Sequence, residues 1–309
     1  MLYLLFTRSL MKIIISGASG FVGHELTAAF RAEGHQVLRL VRSRESSSAD
    51  TIPWDPTSAQ VDAPALERAD AVINLNGASI AGARWTPTRR ATLRTSRVDS
   101  TRFLVDSLRQ LEHKPSVFLS SSAVGYYGSR GDEILTEANG PGDDFLSLLA
   151  RDWEMEANRA ATFSIRTAIL RFGVILASEG GALPRMVRPF RFGLGGRLGN
   201  GRQWLPWITM NDVVRIVKFI LADPKISGPV NLVAPAPVQN AEFARVVGKI
   251  LRRPAIVPVP AFALRLALGE MADSLLLASQ RAYPEKLLRA GYSFQFGEIE
   301  SALRIVLKS

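Results

Sequence analysis

Two hydrophobic rhythms alternate along the chain. Short aliphatic and β-branched runs, namely Ile13-Ile14-Ile15, Gln36 to Val41, Asp70 to Leu75, Ser116 to Leu119, Ser164 to Phe172 and Val230 to Val233, read as strands buried in a sheet. Between them lie longer stretches with apolar residues at helical spacing. One opens at Phe21 and carries Leu26 and Phe30. A second runs from Thr88 to Leu111 with Leu93, Val98, Leu104, Val105 and Leu108. A third runs from Asp143 to Ala160 with Phe145, Leu148, Leu149, Trp153 and Ala157. Strands alternating with helices predict an α/β fold with a doubly wound parallel sheet, because each parallel crossover needs a helix on a sheet face. A further helix, from Asn211 or Asp212 to Ala222, with the acid able to cap, leads into the last strand. Trp54-Asp55-Pro56 reads as a turn.

The first strand breaks into Ser16-Gly17-Ala18-Ser19-Gly20-Phe21-Val22-Gly23. A strand, a tight glycine turn and a helix N-terminus suit a pyrophosphate. Gly17 permits the bend, Gly20 lets the backbone approach the phosphates, and Gly23 lets the helix pack closely on the strand. The free N–H groups and positive end of the helix then face the anion. The spacing is G-x-x-G-x-x-G, not the commoner G-x-G-x-x-G, so the strand before and the helix and second strand after carry the assignment; a glycine turn without a ligand is the plain alternative.

The second strand ends in Arg42-Ser43-Arg44, with no acid before Glu45. An acid here would bond the ribose 2′-hydroxyl of NAD, whereas arginine accommodates a 2′-phosphate. This points to NADP(H), with Arg42 as the first reader and Ser43 and Arg44 as helpers, against the alternative of an exposed basic turn. Ligands of open parallel sheets collect beyond the carboxyl ends of strands, which places Asn76, Gly77 and Ala78 near the cofactor. At the end of the next strand, Ser120, Ser121 and Ser122 offer hydroxyls that either bond a ligand or satisfy turn backbone.

At 309 residues the chain fits one elaborated α/β unit or two closely joined domains. Its 47% hydrophobic and 21% charged residues are those of a globular protein, which sets disorder aside. The net charge of +10 is spread along the chain without a basic block, so no nucleic-acid partner is expected. With no cysteine, disulfides, thiolate catalysis and cysteine metal sites are excluded, and His24, His35 and His113 do not suggest a metal cluster. A soluble cytoplasmic protein is the simplest expectation. Met1 to Leu10 is apolar apart from Arg8, too short to span a bilayer and without a small-residue cleavage site. It reads as an upstream start or a frayed extension, with Met11 opening the folded domain and no membrane partner. Gly180 to Gly201 sets Arg185, Arg188, Arg191 and Arg197, followed by Arg202, among glycines. This stretch either folds over the cofactor with guanidinium forks or is a solvated lid. From Ala241 onward two or three amphipathic helices follow, and the strongly apolar Phe262 to Leu277 is expected to pack on the lid side or on a partner.

Taken together, the glycine turn, Asn74-Leu75-Asn76-Gly77-Ala78, Arg84-Trp85, Ser96-Arg97-Val98 with Thr101, Ser120-Ser121-Ser122 with Gly125-Tyr126-Tyr127-Gly128, Leu170-Arg171-Phe172-Gly173, Trp207-Ile208 with Asp212, and the segment from Gly269-Glu270 to Ala290-Gly291-Tyr292 resemble an atypical extended short-chain dehydrogenase/reductase. The subgroup resembled is the NAD-dependent epimerase/dehydratase family protein of YfcH type, formerly misnamed SulA-like. The resemblance runs from Met11 to Leu307. It implies a Rossmann domain over residues 11–172, with 211–234 returning to it, and a lid and smaller, mainly helical substrate domain over residues 173–309. The implied cofactor set is Gly17, Ser19, Gly20, Phe21, Val22, Gly23, Arg42, Ser43, Asn76, Gly77, Ala78, Ser120, Ser121 and Arg171.

Relatives of this kind use a serine or threonine, a tyrosine and a lysine four residues later: the tyrosine moves a proton as hydride passes, and the ammonium lowers its pKa. Ser122 matches the serine. The other two do not transfer, because no lysine stands between Lys114 and Lys218 and the helix Asp143 to Ala160 contains no tyrosine. The pair is expected near Leu148 or Leu149 and Asp152 or Trp153, and Tyr126 and Tyr127 are the available substitutes. Arg97 stands where an asparagine is expected, which implies a rearranged helix-to-strand bond. Two functions follow: an NADP(H)-dependent oxidoreductase or epimerase-like protein acting on an unidentified small polar substrate, or a non-catalytic NADP(H) sensor or partner-binding protein. A homodimer is compatible with either.

Overall fold

The structure, a computed structural model, describes residues 10–42 and 48–308. The expectations for Met1 to Ser9 and for Ser43 and Arg44 lie outside the described residues. The chain begins with β1 (Lys12–Ser16), α1 (Phe21–Ala32), β2 (Gln36–Val41), β3 (Thr51–Asp55), β4 (Gln60–Val61), α2 (Ala63–Leu66) and β5 (Ala71–Asn74). It continues with α3 (Pro87–Arg94), a π-helical turn Thr95–Asp99, α4 (Ser100–Arg109), β6 (Val117–Ala123), β7 (Ile134–Leu135), α5 (Phe145–Asn158) and β8 (Arg166–Phe172). Then come β9 (Val174–Leu176), α6 (Leu183–Arg191), β10 (Trp204–Leu205), β11 (Trp207–Thr209), α7 (Met210–Ala222) and β12 (Gly228–Leu232). The last elements are β13 (Val238–Gln239), α8 (Asn240–Leu251), α9 (Ala261–Leu268), a π-helical turn Ala272–Leu277, β14 (Arg281–Ala282), α10 (Glu285–Arg289) and α11 (Ile299–Val306).

A Rossmann-type sheet runs β12-β8-β6-β5-β1-β2-β3-β4, parallel throughout except for the β3–β4 pair. Strand β1 shows why its run is apolar at every position. Ile13 and Ile15 pack on one face with Leu26 and Phe30 of α1 and Val213, Ile216 and Val217 of α7, while Ile14 packs on the other with Leu104, Val105 and Leu108 of α4. A strand covered on both faces needs no polar alternation. A third core under α6, α8 and α11 gathers Leu183, Val187, Phe190, Phe243 and Leu303 around Trp207. The main-sheet register aligns Ser16 with Asn74 and Asn74 with Ser120, so β1 and β5 end level with each other while β6 runs three residues further, to Ala123.

Several local expectations change. Ser120, Ser121 and Ser122 are inside β6, not beyond it. Trp54 is a buried strand residue of β3, not a turn. The helix expected over Thr88 to Leu111 is divided by the π-helical turn. Thr209 caps α7, accepting from the Asp212 amide at 3.1 Å. Asp212 accepts instead from the Tyr292 hydroxyl and the Gln295 amide, each at 2.9 Å, and so ties the C-terminal segment to α7. The stretch from Gly180 to Gly201 contains a helix, α6, whose Leu183, Val187 and Phe190 are buried, followed by irregular backbone, and Arg185, Arg188, Arg191, Arg197 and Arg202 are exposed. Helix α9 has no buried residue, and Phe262 and Leu266 lie in solvent. Among the described residues no helix is long and apolar enough to cross a membrane, and no group of histidine and acidic side chains could hold a metal ion.

Candidate functional site

The strand ends open into a cleft with two lobes, of 640 and 450 Å³, which share Gly17, Gly20, Leu75, Asn76 and Gly77. The glycine turn forms their common floor. Gly17 has φ +70°, and a Cβ there would lie 2.6 Å from the Leu75 carbonyl oxygen; at Gly23 it would lie 2.3 Å from the Gly17 oxygen. Both glycines are therefore required by the protein's own packing. Gly20 differs: its φ is −77° and its Cβ would meet only the Gly17 oxygen, at 3.1 Å. The amide of His24 closes on the Gly20 carbonyl, and the amides before it open α1 with no carbonyl in a preceding turn to receive them.

The larger lobe is lined by Ser19, Arg39, Arg42, Trp54, Ala78 and Ser96 among others. Arg39 was not foreseen, since a single arginine between Leu38 and Leu40 in a strand carries no motif. It donates to Asp50 at 3.1 Å, and its Nε has no partner. The Ser48 hydroxyl, with Arg39 and Arg31, holds the Asp50 carboxyl well below the usual carboxylate range. Asp50, the partner of Arg39, is thus paired with two arginines, and Arg42 is exposed at the rim of the lobe.

The smaller lobe is lined by Phe21, Val22, Gly23, Arg97, Ser121, Ser122, Leu149 and Trp153, and residues of the C-terminal segment, Ser274, Leu275 and Gln280, also border it. Leu149 and Trp153 lie one turn apart on α5 and present no ionisable group. Ser122 donates to Glu154 at 2.6 Å, so its proton is committed and it meets a ligand as an acceptor. Ser121 is 8% exposed and its hydroxyl has no partner.

Beneath this lobe is a closed polar hub. Arg171, 3% exposed, grips Glu154 with two bonds of 2.9 and 2.8 Å and donates a third to the Tyr127 hydroxyl at 2.9 Å. Burial pushes the guanidinium pKa down, but Glu154 and Tyr127 outweigh it and raise the pKa above its ordinary value. The Tyr127 hydroxyl donates to Asn231 at 2.7 Å, and burial pushes its pKa up to about 12. A second buried network ties the strand ends together. Ser16 donates to Asn74 at 2.8 Å, Asn74 donates to Thr101 and Ser120, and the Trp153 indole donates to Thr101 at 2.9 Å. Thr101 supplies the helix-to-strand link for which an asparagine was expected at position 97.

The cleft thus brings together Gly17, Ser19, Gly20, Phe21, Val22, Gly23, Arg42, Asn76, Gly77, Ala78, Ser121 and Ser122. Ser120, Tyr127 and Arg171 lie elsewhere. Ser120 is fully buried in the strand-end network, Tyr127 is fully buried in the hub, and the donors of Arg171 are committed to Glu154 and Tyr127. Tyr126 is half-buried, its ring 3.6 Å from the Arg171 guanidinium. Glu154 and Arg97 were not read as site residues. Their signal was present, since each continues a buried helical stripe, Ala150-Glu154-Ala157 and Leu93-Arg97, with a charged residue.

Residues 13–232 match the NAD dependent epimerase/dehydratase family, and residues 259–306 match a domain of unknown function, DUF1731. The chain is 43% identical over 291 residues to the epimerase family protein Mb2239 of Mycobacterium bovis, covering 94% of this chain and 96% of that one. It is 37% identical over 301 residues to the mouse epimerase family protein SDR39U1, covering 96% of this chain and all of the other. Among solved structures, human epimerase family protein SDR39U1 (isoform 2) with NADPH superposes with a TM-score of 0.87 at 32% identity, covering 96% of this chain and 99% of that one.

Proposed function

Because this chain belongs to the NAD dependent epimerase/dehydratase family, we propose that it is of the YfcH type and is an NADP(H)-dependent oxidoreductase or epimerase-like protein acting on a small polar substrate. The observation that carries this reading is Gly20. It has no positive φ, and a Cβ there would make one tight contact, 3.1 Å to the Gly17 oxygen, in place of the overlaps at Gly17 and Gly23; it also lines both lobes of the cleft. A bare backbone at that point suits the close approach of a pyrophosphate. The larger lobe supports a 2′-phosphate, with Arg42 at its rim, Arg39 in its wall and the neighbouring Asp50 already paired. That the human relative's structure holds NADPH supports the same choice.

In this reading Ser19 and the opening amides of α1 hold the pyrophosphate, Asn76, Gly77 and Ala78 border the bridge between the lobes, and Arg42 reads the 2′-phosphate. A nicotinamide dinucleotide bound here supplies or accepts hydride. The chain's own contribution in the smaller lobe is orientation and exclusion of water. Ser122, fixed by Glu154, accepts from a substrate hydroxyl, while Leu149, Trp153 and Leu275 keep the lobe apolar. A non-catalytic NADP(H) sensor or partner-binding protein is favoured by one observation, that Leu149 and Trp153 occupy the cleft face of α5 without an ionisable group.

Calorimetric titration with NADPH, NADP⁺, NADH and NAD⁺, followed by a hydride-exchange assay on a carbonyl panel, tests the reading. NADP(H) is expected to bind more tightly than NAD(H), and Arg42→Ala should weaken NADPH about tenfold more than NADH, as loss of a charge-assisted phosphate contact requires. Equal losses would reject Arg42 as the phosphate reader. Turnover selects the enzyme, and tight binding without any hydride exchange favours the sensor.

A further inference from the structure

The guanidinium of Arg97 is buried, with 9% of the residue exposed, and it lines the smaller lobe of the cleft. Two backbone carbonyls accept from it, Ala78 at 2.9 Å and Leu93 at 3.3 Å, and the Trp153 ring lies 5.3 Å away. Among the described residues no carboxylate lies within ion-pair distance of it. Burial, with the like charge of Arg89, lowers its pKa to about 10, so it remains a cation at neutral pH. The other buried arginine among the described residues, Arg171, is compensated by Glu154. A buried cation without a counter-charge is costly unless a ligand supplies one.

The place is built, not incidental. A Cβ at Gly77 would lie 2.9 Å from the Arg97 guanidinium carbon, so a bare backbone at Gly77 is what admits the side chain there. The π-helical turn Thr95–Asp99 carries Arg97, and such one-turn widenings re-aim side chains out of the regular helix. Ser122, which lines the same lobe, and Glu154 satisfy each other. An uncompensated guanidinium therefore lines a cavity whose other walls include Ile80, Leu149, Trp153 and Leu275.

We infer that Arg97 is the receptor for the carboxylate of a small organic acid with an apolar body. The inference rests on the cleft being a dinucleotide site, for there the phosphates are met by the glycine turn and Arg42, which leaves Arg97 to the substrate. One guanidinium fork matches a planar, singly charged carboxylate; a phosphate dianion asks for more donors.

The test is calorimetric titration of the full chain, with and without saturating NADPH, using benzoate and hexanoate, their neutral amides benzamide and hexanamide, and phenyl phosphate. The acids should bind about tenfold or more tightly than the amides, and Arg97→Met should remove that difference while NADPH affinity stays within about threefold. Arg97→Lys should restore part of the acid affinity. Acids and amides binding alike, neither binding, or phenyl phosphate binding more tightly than benzoate would each overturn the assignment. So would a loss of NADPH affinity of about tenfold or more in Arg97→Met, which would make Arg97 a cofactor contact. Failure of the unaltered chain to bind NADPH would overturn the cofactor reading alone, because the acid-to-amide ratio without NADPH still decides the receptor.

Discussion

The two lobes of the cleft are built in opposite ways. In the larger lobe the residues proposed to hold the cofactor's phosphates come from one local unit, the glycine turn and the end of β2, while Trp54, Pro56 and the segment after β5 close it. The smaller lobe takes Arg97 from a π-helical turn, Ser121 and Ser122 from β6, Trp153 from α5 and Gln280 from the C-terminal segment. One end depends on backbone shape, which a short motif specifies. The other depends on side-chain charges that meet only when distant segments pack. Damage at the first end should therefore be local and selective, whereas at the second it should spread into the core.

The largest expected effect breaks the first end without the second. Gly20→Val should lower NADPH affinity by about 100-fold or more, since its side chain would occupy the space of the pyrophosphate, while leaving a folded protein. Its Cβ meets only one backbone oxygen, at 3.1 Å. Gly23→Ala is the contrasting change, because its Cβ would lie 2.3 Å from the Gly17 oxygen and 2.7 Å from the Ala18 α-carbon. Both affinity and melting temperature should fall there. If Gly20→Val bound NADPH like the unaltered chain, the glycine turn would be a packing device only.

The second effect breaks the other end. Glu154→Gln leaves Arg171 buried without its charge and Ser122 without its carboxylate, a loss of about 3 kcal/mol of stability by analogy with broken buried pairs. Denaturant unfolding measures it. NADPH affinity should change little, because neither Glu154 nor Arg171 lines the larger lobe. Replacing both partners with apolar residues, Glu154→Leu with Arg171→Met, should recover part of the loss. If the single substitution were silent, the hub would not be what fixes Ser122.

This division explains how far the sequence could be read. The apolar runs of β1, β5, β6 and β8 and the helical spacing of α1, α5 and α7 reflect burial on known periods, so the Rossmann-type sheet was legible. The bend at Gly17, with φ +70°, and the close packing of Gly23 on the Gly17 oxygen were legible because both are made within a few residues. Arg171 was misread because its partner, Glu154, is brought to it by the packing of α5 on β8, and nothing local distinguishes a buried arginine that is paired from one that is free. The capping of α7 shows the same limit: Asp212 has the right residue type, but Tyr292 and the Gln295 amide from the far end of the chain claim its carboxylate. The helix of Gly180 to Gly201 was hidden by flanking glycines, whose contacts with Phe21 and Val257 are tertiary.

The smallest effect sharpens the contrast within a single dipeptide. Tyr126 and Tyr127 are neighbours with rings 5.5 Å apart, yet Tyr127 is fully buried and its pKa is pushed up to about 12, whereas Tyr126 is half-buried. The unfolded chain releases an ordinary tyrosine proton near pH ~10. Tyr127 of the folded protein therefore holds its proton through a window in which the unfolded chain has lost it. Its contribution is complete below about pH 10 and declines as pH rises toward about 12, because there the folded state binds more protons. Tyr127→Phe should make denaturant midpoints fall less, or rise more, with pH across that window than in the unaltered chain; Tyr292, raised by burial and by Asp212, acts in the same direction as Tyr127, and Arg97 and Lys286, both lowered by burial, act against it. Were Tyr127→Phe to leave the pH dependence unchanged, Tyr127 would be as open to solvent as its neighbour, and the hub under the smaller lobe would not be closed.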